Sequence, residues 1–173
     1  MSGGNDWQTP DPILDRVRRV GPIGLDPCTV AENPTGARAI ITKDDVPDGL
    51  EANWFGRAKG ELVFANIPYG RGVVAEWAAK IVEEASRGVE IIALTRGDMS
   101  TRWARQMAIA ARLVCFPPRI RFKGANGSPN FSNTVFYYGP RPETFRRAFE
   151  DLGPIVAPIS NQKNQARKRA ING

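Results

Sequence analysis

Asn66-Ile67-Pro68-Tyr69 closes a short apolar run, Leu62 to Ala65, and is followed at once by Gly70-Arg71-Gly72. The apolar run reads as a buried strand. In an open α/β sheet such a strand end points into the ligand crevice. The tetrapeptide offers one side-chain amide, main-chain carbonyls held stiff by Pro68, and one aromatic face. Those groups suit a planar base with an exocyclic amine. Asn, Pro and Gly are also ordinary turn residues, so spacing alone leaves a plain strand-to-turn junction as the simpler reading.

The 173-residue chain contains no His, which removes His-dependent triads and His acid–base chemistry. Cys28 and Cys115 are its two cysteines, a poor metal inventory, and two free buried thiols are expected rather than a disulfide. Chemistry here must come from positioning and polarisation, or from carboxylates. At 42% hydrophobic residues the composition is that of an ordinary folded chain. No apolar run approaches the ~18 residues of a membrane span. The N-terminus has neither a basic nor an apolar region of a signal peptide, so a cytoplasmic protein is expected.

The formal charge of +6 is unevenly distributed. Residues 1–98 hold 11 Lys/Arg against 15 Asp/Glu, whereas residues 99–142 hold seven basic residues and no acid. These seven are Arg102, Arg105, Arg112, Arg119, Arg121, Lys123 and Arg141. Such a stretch favours a polyanionic partner, foremost nucleic acid.

The elements that would position these groups alternate. A helix is expected from Thr9 as cap and Pro10 as first helical residue, with Ile13, Leu14 and Val17 inward and Gly21-Pro22 as its stop. Short strands follow at Ile23–Leu25, leading into Asp26-Pro27-Cys28, and at Ala39–Ile41, with Asp44 and Asp45 just beyond. Asn33 to Gly36 reads as a turn. Val73 to Arg87 reads as a helix with Val74, Ala78, Ile81, Val82 and Ala85 buried and Gly88 as its stop. A strand follows at 89–94, then a helix capped by Ser100, strands at 113–116 and 131–138, and a helix from Pro142 closed by Gly153. Trp54 and Trp77 read as core. The alternation implies a doubly wound, mostly parallel sheet. The last two strands lie too close for an intervening helix and should form an antiparallel hairpin at one edge. The folded domain is expected over residues 1–157, with 158–173 a basic, mobile tail.

Five stretches in order then resemble one family, the small phage and prophage DNA adenine-N6 methyltransferases that use S-adenosylmethionine. They are Asp6-Trp7-Gln8-Thr9-Pro10, Gly24 to Cys28 with Asn33 after it, Asp48-Gly49-Leu50 with Trp54, Asn66 to Gly70, and Arg119 to Phe122. The resemblance covers roughly residues 6–150 and implies a class I methyltransferase fold with seven strands. It implies catalysis by Asn66, the Ile67 carbonyl, Pro68 and Tyr69 on an adenine flipped out of duplex DNA. It places Trp7, Thr9 and Pro10 at the methionine end of the cofactor, and Asp26, Pro27 and Cys28 beneath it in place of a glycine-rich loop. Asp48 would bind the cofactor's adenine or ribose, with Asp45 or Asp44 as alternatives for the ribose. Arg71, Arg96, Arg102, Arg119, Arg121 and Lys123 are candidate DNA contacts, and 123–130 a candidate reading loop. No metal is implied. Ile67 stands where the family has Pro, and Asn-Ile-Pro-Tyr also resembles ribosomal-RNA adenine dimethyltransferases. An RNA substrate, and a binding module without catalysis, are the alternative readings. The amine chemistry itself also admits cytosine-N4.

Overall fold

The computed structural model describes residues 7–70, 72–124 and 130–159. Asp6, Arg71, most of the 123–130 loop and the tail beyond Ile159 lie outside the described residues. Seven strands form one sheet: β1 (Ile23–Thr29), β2 (Ala39–Thr42), β3 (Leu62–Asn66), β4 (Ile91–Arg96), β5 (Leu113–Cys115), β6 (Asn133–Tyr138) and β7 (Ile155–Val156). Five helices cover it: α1 (Asp11–Val20), α2 (Trp54–Ala58), α3 (Val73–Ser86), α4 (Arg102–Ala110) and α5 (Pro142–Phe149).

The order across the sheet is β2-β1-β3-β4-β6-β5-β7. β2, β1, β3 and β4 run parallel, and the remaining three pairings are antiparallel. The sheet is therefore mixed, and the expected mostly parallel arrangement holds for only half of its pairings. The expected hairpin exists, since β5 and β6 pair antiparallel. Its place differs from expectation: β6 inserts between β4 and β5, and β7 forms the edge. The connection from β5 to β6 contains Pro117-Pro118 and, among the described residues, no helix, so β6 returns antiparallel to β5. Helix α5 then crosses β5 to lay β7 in the same direction as β6, as a helical crossover requires. β7 has only two residues, Ile155-Val156, too short an apolar run between Pro154 and Pro158 to mark a strand in the sequence.

Two cores hold the layers. α2, α3 and α4 pack one face around Trp54, Ile67, Trp77, Ile81, Met107 and Phe136. α1 and α5 pack the other around Leu14, Val17, Phe64, Leu94, Phe145 and Phe149. In α1, Ile13, Leu14, Val17 and Val20 are buried at helical spacing. Pro10 is its cap; the Ile13 and Leu14 N–H groups donate to the Pro10 carbonyl, and the helix starts at Asp11. Thr9 is buried instead of capping. In α4 the cap is Thr101, which accepts from the Ala104 N–H at 3.4 Å, while Ser100 bonds Asp98.

Helix α3 buries Val74, Ala78 and Ile81 as expected and adds residues its apolar pattern does not suggest. Trp77, Lys80 and Glu84 are inside, and Val82 and Ala85 only partly so. Lys80 Nζ lies 2.7 Å from Glu84 Oε1 and 5.8 Å from the Trp54 ring centroid. The i,i+4 pair and the indole face replace the water these charges lose.

Candidate active site

The site follows from the topology. From β1 the chain goes to β2 on one side and then to β3 on the other, so the switch point lies between β1 and β3. Ligands of open α/β sheets bind outside the carboxyl ends of the strands at this point. Here those ends are Asp26-Pro27-Cys28 and Asn66-Ile67-Pro68-Tyr69. They touch: the Cys28 thiol donates to the Asn66 carbonyl at 3.4 Å. Burial, and secondarily Asp26, push the Cys28 thiol well above its usual range, so it stays protonated and able to donate.

β1 deviates at Pro27. Its register with β2 shifts between Asp26 and Thr29, where proline has no N–H for the ladder. Asp26 is buried at 3% exposure and bound inside the fold. Its Oδ1 accepts the Cys28 N–H at 3.2 Å, and its Oδ2 accepts the Thr35 hydroxyl at 3.0 Å. Burial raises its pKa to about 6, against the opposing pull of these bonds. Asn33 braces the following turn, accepting from the Ala37 N–H at 3.0 Å and donating to the Ala37 carbonyl at 2.8 Å. Thr35, the partner of Asp26, had no distinguishing sequence signal.

Asp48-Gly49-Leu50 is pressed against this strand end. A Cβ on Gly49 would lie 2.0 Å from the Pro27 carbonyl oxygen and 2.4 Å from the Trp77 ring. The Trp54 indole N–H donates to the Gly49 carbonyl at 2.8 Å. Asp48 Oδ1 accepts the N–H groups of Leu50 and Glu51 at 2.9 and 3.1 Å. Trp54 and Trp77 are core residues, their rings 6.3 Å apart. Asp45, beyond β2, accepts from the Thr42 N–H and hydroxyl through Oδ2, and these bonds lower its pKa. Asp44 is exposed. Asp45 and Asp48, which follow β2, each keep one oxygen on the main chain, whereas Asp26 has both oxygens bonded within the fold.

Asn66 Nδ2 donates to the Trp7 carbonyl at 3.2 Å, and Asn66 Oδ1 accepts from the Tyr69 hydroxyl at 3.0 Å. Ile67 is 1% exposed and packs in the α3-side core, so its side chain is set by packing. Pro68 is exposed. Tyr69 joins an aromatic cluster the sequence did not disclose. Its ring meets Trp7, Phe122 and Phe131 edge-on, at centroid distances of 6.4, 6.0 and 5.3 Å. Trp7 lies nearly parallel to Phe122 and Phe131. Burial, then the nearby Cys28, push the Tyr69 hydroxyl above its ordinary range, with Arg96 opposing. Thr9 is buried and Pro10 half-buried beside Trp7.

The basic run divides between the two ends of the sheet. Arg96 ends β4, Arg102 opens α4, and Arg119, Arg121 and Lys123 follow β5, all at the edge that carries Asn66. Arg112 and Arg141 lie toward the opposite edge. Arg96 sits 4.9 Å from the centroid of the Phe131 ring. Arg102, Arg119 and Arg121 are exposed. Lys123 pairs with Asp11 at 2.7 Å, and its main chain bridges Gln8. Buried Asn133 fixes this region, accepting from the Ile120 N–H at 3.2 Å. Among the described residues, no group of three or more His, Cys, Asp or Glu is arranged to hold a metal, and no helix is long and apolar enough to cross a membrane.

The model of one family, DNA N-6-adenine-methyltransferase (Dam), matches residues 2–135. No curated protein matches the chain.

Proposed function

The chain belongs to that family, and on that premise we propose that it methylates the N6 amine of a flipped-out adenine in duplex DNA, using S-adenosylmethionine. The observation that carries this reading is Asn66 at the switch point, its amide held between the Trp7 carbonyl and the Tyr69 hydroxyl.

The adenine amine is a weak nucleophile because its lone pair is delocalised into the ring. Asn66 Oδ1 and the Ile67 carbonyl would accept its two protons and favour a pyramidal nitrogen. Pro68 would fix the carbonyl direction, and Tyr69 would stack on the base. No strong base is needed, which suits a chain without His. When bound, S-adenosylmethionine supplies a sulfonium methyl group. The residues present fit such a ligand: Asp45 and Asp48, each bonded to the main chain through one oxygen, would accept from its hydroxyls and amines, while buried Asp26, with both oxygens bonded inside the fold, would brace the Pro27-Cys28 strand end beneath it. Trp7, Thr9, Pro10, Pro27 and Cys28 would complete its surroundings. Base flipping costs a few kcal/mol. Arg96, Arg102, Arg119 and Arg121 at the same edge would offset it through phosphate contacts. Lys123, paired with Asp11, would have to release that partner to join them.

The Ile67 side chain is a core residue, so packing accounts for the departure that motivated the RNA reading. The test is incubation with duplex DNA or structured RNA and methyl-labelled S-adenosylmethionine, with mass spectrometry of the digested product. N6-methyladenine from DNA is expected. Transfer to RNA alone, or N4-methylcytosine as the product, would overturn the reading.

A further inference from the structure

The Asn66 amide has one partner that permits a single orientation. A main-chain carbonyl only accepts, so the Trp7 carbonyl must face the NH2 end of the amide. Oδ1 is thereby turned to the other side, toward the Tyr69 hydroxyl. We propose that Trp7 is the positioning residue of the reaction: its carbonyl selects the amide orientation that presents Oδ1 to the reacting amine, and its ring holds that carbonyl in place. This rests on the methyl-transfer reading of Asn66.

The anchoring does not depend on Asn66. The Trp7 indole packs nearly parallel to Phe122 and Phe131, with centroids 5.8 and 5.6 Å away. The next residue, Gln8, exchanges both main-chain hydrogen bonds with Lys123 at 3.2 and 2.9 Å. Lys123 reaches back to Asp11 at 2.7 Å. Phe122 and Lys123 belong to the segment after β5, and Phe131 directly precedes β6. The far half of the sheet therefore fixes the amide at the end of β3. The Tyr69 hydroxyl occupies one lone pair of Oδ1 and leaves the second for an amine proton.

It follows that Asn and Asp are not interchangeable at position 66. A carboxylate would set an oxygen against the Trp7 carbonyl with no proton between them. A protonated carboxyl would restore the donor and leave its other oxygen as acceptor. The charged and titratable groups around the site are Cys28 and Asp26 from β1, Tyr69 from the same loop and Arg96 from β4. Cys28 and Tyr69 stay neutral through the working range, since burial raises both. Asp26, whose pKa burial raises to about 6, is removed by making both comparisons in an Asp26→Asn background, because a carboxyl at position 66 would couple to it. Arg96 would oppose protonation and limit the size of the effect.

The experiment compares Asn66→Asp with its Asn66 parent, both carrying Asp26→Asn, by urea unfolding and single-turnover methyl transfer between pH 5 and 8, alongside Trp7→Ala and Trp7→Phe. A carboxyl with a raised folded-state pKa contributes stability that is present at low pH and lost as pH rises through that pKa. Asn66→Asp should therefore approach that parent near pH 5 and fall behind above it. Its rate deficit should grow by up to about tenfold per pH unit. Trp7→Phe should recover most of the rate that Trp7→Ala loses. A pH-independent gap in both stability and rate would overturn the proposal. So would an Asn66→Asp chain folded at no pH, because the protonated acid supplies the same donor. The stability gradient needs no activity. If wild type transferred no methyl and the gradient remained, the failure would belong to the reading of Asn66 and not to the amide orientation. If wild type transferred methyl and the gradient were absent, the reading of Asn66 would stand and the role of Trp7 would fall.

Discussion

Gly49→Ala should damage both the fold and cofactor binding, through one contact. The added Cβ would lie 2.0 Å from the Pro27 carbonyl oxygen, while ordinary contact begins at 3.4 Å. About 1.4 Å must be absorbed, and the neighbours are main chain and a Trp77 ring that is itself packed in the core. Retreat of the loop would strain the Trp54 bond to the Gly49 carbonyl. Overpacking of this kind costs about 1–3 kcal/mol. At a slope of about 2 kcal/mol/M the urea midpoint would fall by about 1 M with little change in slope. Calorimetry with S-adenosylmethionine at a temperature where the variant is folded should show weaker binding, because Asp48 moves with the loop. Gly56→Ala in α2 is the control. Its Cβ would meet nothing closer than 3.8 Å, and alanine is the better helix former by about 1 kcal/mol. Wild-type stability and wild-type cofactor affinity in Gly49→Ala would show that the Pro27–Gly49 contact limits neither.

Asp26 carries a pH signature. Its pKa is raised from 3.8 to about 6 by burial, so its favourable contribution is complete below pH 3.8 and is lost as pH rises through 6. The full change is about 3 kcal/mol. Asp26→Asn should flatten the stability profile across that window, and an unchanged profile in urea titrations would exclude the shift. For DNA binding, log affinity should fall steeply with log salt. Arg119→Ala with Arg121→Ala should shallow the slope by up to about two phosphate contacts. An identical slope would remove both residues from the interface.

The strands that build the site were legible because their apolar runs are short, continuous and bounded by turn residues. Leu62 to Ala65 and Ala39 to Ile41 are of this kind, and both form strands. The Gly88 stop of α3 was legible for a backbone reason, since its φ is +91°. What escaped depends on partners distant in sequence. The burial of Lys80 and Glu84 depends on their mutual ion pair and on the Trp54 ring beside Lys80, which only the fold brings there. Trp7, Tyr69, Phe122 and Phe131 are spread over 125 residues and meet only when β6 inserts between β4 and β5. The acid-free run suggested one basic surface. The sheet sends Arg112 and Arg141 to the other end, because strand direction and not sequence proximity decides which edge a charge reaches.

The reading of Asn66 as the catalytic amide is tested most directly by Asn66→Ala, with methyl transfer to duplex DNA measured beside calorimetric binding of S-adenosylmethionine. Wild-type protein should produce N6-methyladenine. The variant should bind the cofactor nearly as wild type and transfer no detectable methyl. Undiminished transfer by Asn66→Ala, or loss of cofactor binding together with transfer, would contradict it.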